Sequence, residues 1–363
     1  MNPLTRVLRS VLTVLGTALI AILALSCGDD ATGPSGGSSA SYQAASLTIT
    51  EADIGTHVGA VAHDSTLGRW SPSPELNEVA DYIVNEFWRA GLQPGNDGAF
   101  LQWFALPSAQ VLPGALFRID SGAGVGVPLS IQAPVPGGSG SGDPVGKFVA
   151  PNVIGWIEGS DPQLKHEYIV FSAHFDHIGM SEIAAPDGDN VYNGADDNGS
   201  GTAALLEIAE AFASLQTPPA RSVVFIATSG EERGLLGAMH YINNPTFPLE
   251  NAIANLNLDM VGRNDPATVE VIRPTESDLG QLVQAVAASH DDIGVSPIDV
   301  PDDQLVRRSD CFAFLLAGID ALFFHSGLHE DYHGLNDEPE RLDASKAAAV
   351  ARLAYWVGVE LVD

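Results

Sequence analysis

Apolar residues recur at spacings of three and four from position 74 to 90. Leu76, Val79, Ala80, Ile83, Val84, Phe87 and Trp88 fall on one side of a predicted helix. Ser73 and Pro74 open it and Gly91 stops it. The side carrying Phe87 and Trp88 is expected to face the core. From 152 onward the period changes back and forth. Residues 167–173, 222–228, 252–258 and 319–324 are short apolar runs with the composition of buried strands. Residues 199–214, 234–242, 279–289 and 344–361 carry helical periodicity, the last capped by Asp343. Strands alternating with helices predict an α/β fold: a three-layer sandwich around a central mixed, mainly parallel sheet. There is no internal repeat.

The ends of this pattern set the organisation. Arg6 and Arg9 precede an uncharged apolar run over 11–25, the layout of a signal peptide, and the run closes on Ser26 and Cys27. Residues 1–26 are therefore expected to be a leader and 27–45, rich in Gly and Ser, a flexible tether. A small residue before Cys27 resembles a bacterial lipoprotein processing site. The expectation is an exported protein, periplasmic or on the cell surface, attached to the membrane only through lipid on Cys27, with ordinary secretion as the alternative. The remainder, 46–363, reads as one domain interrupted by an irregular Gly/Pro-rich insertion over 107–151. With Cys27 lipidated or removed, Cys311 stands alone in an apolar run, as a buried, inert thiol.

Composition narrows the partners. The 363 residues carry 16 basic and 46 acidic side chains, a formal charge of −30. The leader holds basic residues and no acidic ones, so the exported chain is more acidic still. Such a surface repels nucleic acid and anionic lipid and favours cationic ligands, a free peptide amine included.

The chemistry lies where predicted strands end. His174, Asp196, Glu231, Glu232, Asp259 and His333 each stand at or near such a point, in the runs His174-Phe175-Asp176, Gly194-Ala195-Asp196-Asp197-Asn198-Gly199, Ser229-Gly230-Glu231-Glu232, Asn257-Leu258-Asp259-Met260 and Asp331-Tyr332-His333. In open α/β sheets ligands gather outside the carboxyl ends of strands. Imidazoles among carboxylates suit zinc or a related divalent ion. Asp196, flanked by glycines, is expected to bridge two ions. Adjacent Glu231 and Glu232 point in different directions, which predicts Glu232 as a ligand and Glu231 as general base. Asp176 can reach the second nitrogen of His174 and fix its tautomer. His177 reads as a loop or substrate-facing residue, and His325 and His329 compete with His333 for the last ligand position. Asp310 reads as a turn residue or a group behind the site. Tyr332 reads as a packed ring or as a donor to the tetrahedral oxyanion.

In order along the chain, these segments resemble the di-zinc aminopeptidase family, the zinc-dependent exopeptidases of clan MH that include bacterial secreted leucyl-type aminopeptidases. The stretches 63–69 and 152–159 extend the likeness. The resemblance implies two zinc ions, one held by His174 and Asp259, the other by Glu232 and His333, with Asp196 between them and a cis peptide joining Asp196 to Asp197. It selects His333 over its rivals. It implies cleavage of N-terminal residues from peptides with a free N-terminus. Two alternatives are carried: a carboxypeptidase or small-amide hydrolase on the same centre, and a surface binding module without catalysis.

Overall fold

The structure is a computed structural model, and it describes residues 38–106 and 149–363. The leader over 1–26 and Cys27 lie outside the described residues. So does 107–148, nearly all of the expected insertion.

In chain order the elements are α1 (Ser39–Ser46), α2 (Glu51–Val61), α3 (Pro74–Ala90), β1 (Gln93–Pro94), β2 (Leu101–Ala105), β3 (Val149–Ile157), β4 (Tyr168–His174), α4 (Gly201–Ala213), β5 (Ser222–Thr228), α5 (Leu236–Asn243), β6 (Ala252–Leu258), β7 (Thr268–Arg273), α6 (Leu279–Ser289), β8 (Ser296–Pro301), α7 (Cys311–Leu316), β9 (Asp320–His325) and α8 (Ala344–Val362). The strands form one sheet in the order β1-β3-β5-β4-β6-β9-β7-β8, with β2 also on β3. Its middle, β5-β4-β6-β9, is parallel throughout. The β3 side joins antiparallel, and β7 joins β9 antiparallel while pairing parallel with β8. The sheet is mixed, and its parallel character is concentrated in the centre.

Both faces of that centre are covered, which is why β4 and β5 read as unbroken apolar runs. Alternate residues go to opposite sides. Ile169, Phe171 and Ala173 of β4 pack into the larger core with α2, α3, α4 and α8. Tyr168 and Val170 pack into the smaller one with α5 and α7. Phe171 stacks on Phe225 at 5.6 Å and leans on Phe212, which meets Tyr355 of α8 at 4.7 Å. Gly358 lets the α8 backbone lie against that stack, since a Cβ there would stand 2.5 Å from Phe171 Cζ.

Two expectations change. The tether expected over 27–45 ends sooner: α1 is capped by Ser38 and buries Tyr42 and Ala45 in the core, where Tyr355 donates to the Tyr42 carbonyl. Trp88 is 72 % exposed, although Phe87 beside it is fully buried. Leu76, Val79, Ala80, Ile83 and Phe87 complete the buried stripe of α3, and the next residue is turned about a quarter of the way round the helix, past its edge. The helix ends are as expected: Ser73 Oγ accepts from Leu76 N at 2.9 Å, and Asp343 accepts from Lys346 N at 3.0 Å.

Candidate metal centre

The central parallel strands end together, and the acidic residues leave from those ends. His174 is the last residue of β4, Glu231 and Glu232 follow β5, and Asp259 follows β6. They line one cavity of about 300 Å³ with Asp197 and Tyr332.

Two groups of potential metal ligands meet there. One is His174, Asp197 and Asp259, the other His177, Asp197, Glu232 and His333. Within each, one ligand atom per residue lies within 4.8 Å of the others. The carboxylate common to both is Asp197, not Asp196. His174 Nε2 lies 3.4 Å from Asp197 Oδ1, and His333 Nε2 lies 3.0 Å from Asp197 Oδ2. One carboxylate thus offers an oxygen to each group. Asp196 points the other way: Oδ1 accepts from Gly262 N at 2.7 Å, and Oδ2 lies 3.3 Å from His329 Nε2. The physical reason is that Asp197 has extended backbone angles (φ −103°, ψ 93°) and successive side chains in extended backbone face opposite sides. The cis peptide likewise joins Asp197 to Asn198, one residue later than expected. His333 and His329 do not compete for one place. His333 sits against Asp197, His329 against Asp196, and His325 holds the Asp259 carbonyl at 2.9 Å through Nδ1.

The turn that presents Asp197 is held from several sides. Gly194 has φ 55°, and a Cβ on it would stand 2.2 Å from the Asp197 carbonyl oxygen and 2.5 Å from the His177 ring. The Asp337 carboxylate accepts from the backbone N–H of both Asp196 and Asp197. Arg69 is fully buried. Its Nε donates to Phe175 O at 2.8 Å, Nη1 to Val61 O and Asn193 O, and Nη2 to Gly194 O at 3.0 Å. One guanidinium thus ties the end of β4 to the turn bearing Asp197, and faces Asp176, Asp197, Asp337 and Glu232 as a fixed positive charge. Burial lowers its pKa to about 10, still protonated at neutral pH. A lone arginine in 63–69 carries no mark of this role in the sequence.

Asp176 stands beside His174, but the hydrogen-bond partner of His174 Nδ1 is the Asp176 backbone carbonyl at 3.2 Å; the carboxylate lies 3.6 Å away and accepts from Glu231 N at 3.2 Å. His177 does not face substrate. It is fully buried, with Nδ1 2.8 Å from Glu232 Oε1, while Glu232 Oε2 lies 3.2 Å from His333 Nε2. Ser309 Oγ donates to Asp259 Oδ2 at 2.6 Å. Asp331 receives Arg263 and Arg341, anchoring the segment two residues before His333. Asp310 is no surface turn residue: it is buried, receives Thr228 Oγ1, and burial pushes its pKa up to about 7.

The electrostatics separate the two adjacent glutamates. Burial, with Glu232, Asp259 and Asp310 nearby, raises the Glu231 pKa well above the usual carboxylate range, and His174 only partly opposes this. Burial and Asp197 press on Glu232 too, but His333 and His177 outweigh them and bring it to about 2. Burial disfavours the charged forms of His174 and His333, yet their carboxylate neighbours prevail. Glu231 and its fellows hold His174 well above the ordinary value, and Glu232 and Asp197 push His333 up to about 11. Carboxylates crowded against imidazoles in a closed pocket are a donor set that fits a divalent cation. His333 Nε2 is buried beside two of those carboxylates without a well-aligned hydrogen bond, as a ligand nitrogen would be.

Residues 152–357 match the family model described as Peptidase family M28. The chain belongs to that family. M28 comprises zinc exopeptidases, and the mixed sheet with helices on both faces is its fold. The M28 chain is 30% identical over 192 residues to Aminopeptidase YwaD of Bacillus subtilis, covering 50% of this chain and 39% of the relative. It is 34% identical over 128 residues to the Glutamate carboxypeptidase 2 homolog of Caenorhabditis elegans, 33% of this chain and 14% of that one. It therefore spans well under half the length of these curated relatives. Among solved structures, the LapA aminopeptidase of Legionella pneumophila superposes with a TM-score of 0.62 at 18% identity, over 95% of this chain and 80% of the other.

Two predictions follow from this geometry. Asp197→Asn, stripped with chelator and reloaded, loses most of its zinc, with affinity down by about 100-fold or more. Asp196→Asn keeps the wild-type zinc content. The reverse pattern, read by elemental analysis, would restore Asp196. The second prediction concerns protons. Imidazole binds metal only when neutral, and His174 and His333 are protonated in the metal-free protein at neutral pH, so zinc must expel those protons. Calorimetric zinc titration at pH 7.5, in buffers of different ionisation enthalpy, should show release of about two protons. The apparent affinity should rise with pH toward the raised histidine values. A heat independent of buffer would contradict it.

Proposed function

We propose that this chain is a zinc-dependent aminopeptidase that removes N-terminal residues from peptides, using two zinc ions with Asp197 between them. The observation that carries the reading is the pairing at 231 and 232. Glu232 is drawn into a ligand group, while its neighbour Glu231 opens to the same cavity with a raised proton affinity. Zinc bound here would polarise the scissile carbonyl and make water a better nucleophile.

Within that reading the chain's own residues have defined tasks. Glu231 takes a proton from the attacking water and returns it to the leaving amine. Positive charge in the centre would offset the burial and the carboxylate repulsion that raise its pKa, so it can cycle between both forms. Asp176 orients His174 and, through Glu231 N, the backbone of the base. Tyr332 lines the cavity and stacks on His333 at 3.9 Å. Burial and the neighbouring carboxylates raise its pKa, so the phenol keeps its proton and can donate to the oxygen that becomes negative in the tetrahedral state. The acidic wall suits a protonated substrate amine.

A carboxypeptidase is the second reading, favoured by the likeness of part of this chain to the Glutamate carboxypeptidase 2 homolog of Caenorhabditis elegans. Paired substrates separate the two. Peptides with a free amine should be cleaved, and the same peptides N-acetylated should not. Glu231→Gln should keep its zinc and lose turnover by about 10²–10⁴-fold. Faster cleavage of the blocked peptide would favour the second reading, and normal kcat in Glu231→Gln would remove the base.

A further inference from the structure

The cavity that holds the centre continues past the ligands over Met260 and Phe323, whose side chains are buried. The polar side chains along this part of its wall are Glu270, His325 and Arg308. Glu270 and His325 are partners across the antiparallel pairing of β7 with β9 and so share one side of the sheet. His325 Nδ1 donates to the Asp259 carbonyl oxygen at 2.9 Å, which fixes the ring against the wall. Glu270 is half-buried, and among the described residues no hydrogen bond or ion pair engages its carboxylate. Glu270 is therefore the free acceptor on this part of the wall, with His325 beside it.

We propose that Glu270 makes this cavity select a cationic side chain, lysine or arginine, on the residue that is cleaved. The inference rests on the aminopeptidase reading and names the substrate class of that same site. A lysine or arginine stem would lie along Met260 and Phe323 while its head reaches Glu270. A charge-assisted hydrogen bond in a partly desolvated wall is among the stronger polar contacts. Lys346 acts on Glu270 electrostatically without a hydrogen bond to it, so the carboxylate still gains more from a cationic head than an apolar substrate side chain can offer. Arg308 also lines the cavity, but it is exposed, so water and salt screen it more than the half-buried Glu270. The chain's formal charge of −30 adds a field that draws cationic substrates in.

The test uses the full chain loaded with zinc and the 4-nitroanilides of lysine, leucine and glutamate. Expected is a kcat/KM for lysine about tenfold above leucine, with glutamate lowest, and a lysine-to-leucine ratio that falls by about tenfold in Glu270→Gln. Glu270→Asp should retain part of the preference. Each ratio is taken on one preparation, so a partly folded variant does not distort it. Leucine matching or exceeding lysine in the wild type, or an unchanged ratio in Glu270→Gln, overturns the inference and leaves the aminopeptidase reading standing. A preference for glutamate would assign the wall to Arg308 and overturn it as well. Cleavage of none of the three removes the aminopeptidase reading itself, and the inference with it.

Discussion

Carboxylates crowded at the end of a parallel sheet repel one another, and burying them strengthens that repulsion. Asp176, Asp197 and Asp259 are buried in such a place and Glu232 is half-buried there; Asp176, Glu232 and Asp259 stand just past strand ends and Asp197 on the turn that leads into α4. The surroundings answer this charge in two ways. Arg69 supplies a permanent cation behind the ligand layer, and four of its N–H groups are held by backbone carbonyls, which keeps it out of the ligand positions. His174 and His333 supply protons that a divalent ion can displace. The centre is thus poised for a cation while remaining compatible with a folded chain in its absence.

The same constraint explains why neighbouring residues take different roles. Glu231 and Glu232 share a turn, but one meets His177 and His333 while the other meets further carboxylates. Asp196 and Asp197 share another, and each has its own histidine, His329 for the first and His333 for the second. The inner layer does the binding and the layer behind it fixes directions: Asp337 on the turn backbone, Ser309 on Asp259, Asp331 under His333. Positions in that second layer are expected to tune metal affinity without touching substrate.

Periodicity and strand ends were enough to place the central strands and α8 within a residue or two, because those elements are buried on both faces and their patterns have one solution. They also brought His174, Glu231, Glu232 and Asp259 to one place, while His333 was singled out from His325 and His329 by the family resemblance alone. The choice between Asp196 and Asp197 lay beyond the pattern. Two identical residues in a glycine-flanked turn differ only in which way the backbone turns them, and a slip of one residue reverses the side. His177 was read as facing outward because its partner, Glu232, is 55 residues away and arrives only when β4 and β5 pair. Arg69 was hidden for the same reason, since its partners come from distant segments. Trp88 was misplaced by extending an apolar stripe past its edge.

The role of Asp197 as the carboxylate common to both ligand groups can be seen directly. Crystals of the zinc-loaded protein, measured on both sides of the zinc absorption edge, should show two anomalous peaks about 3.5–4 Å apart, one on each side of the Asp197 carboxylate. One peak should be reached by His174 and Asp259 and the other by Glu232 and His333, with Asp196 in contact with neither. A single peak, or a peak between Asp196 and His329, would contradict the shared carboxylate.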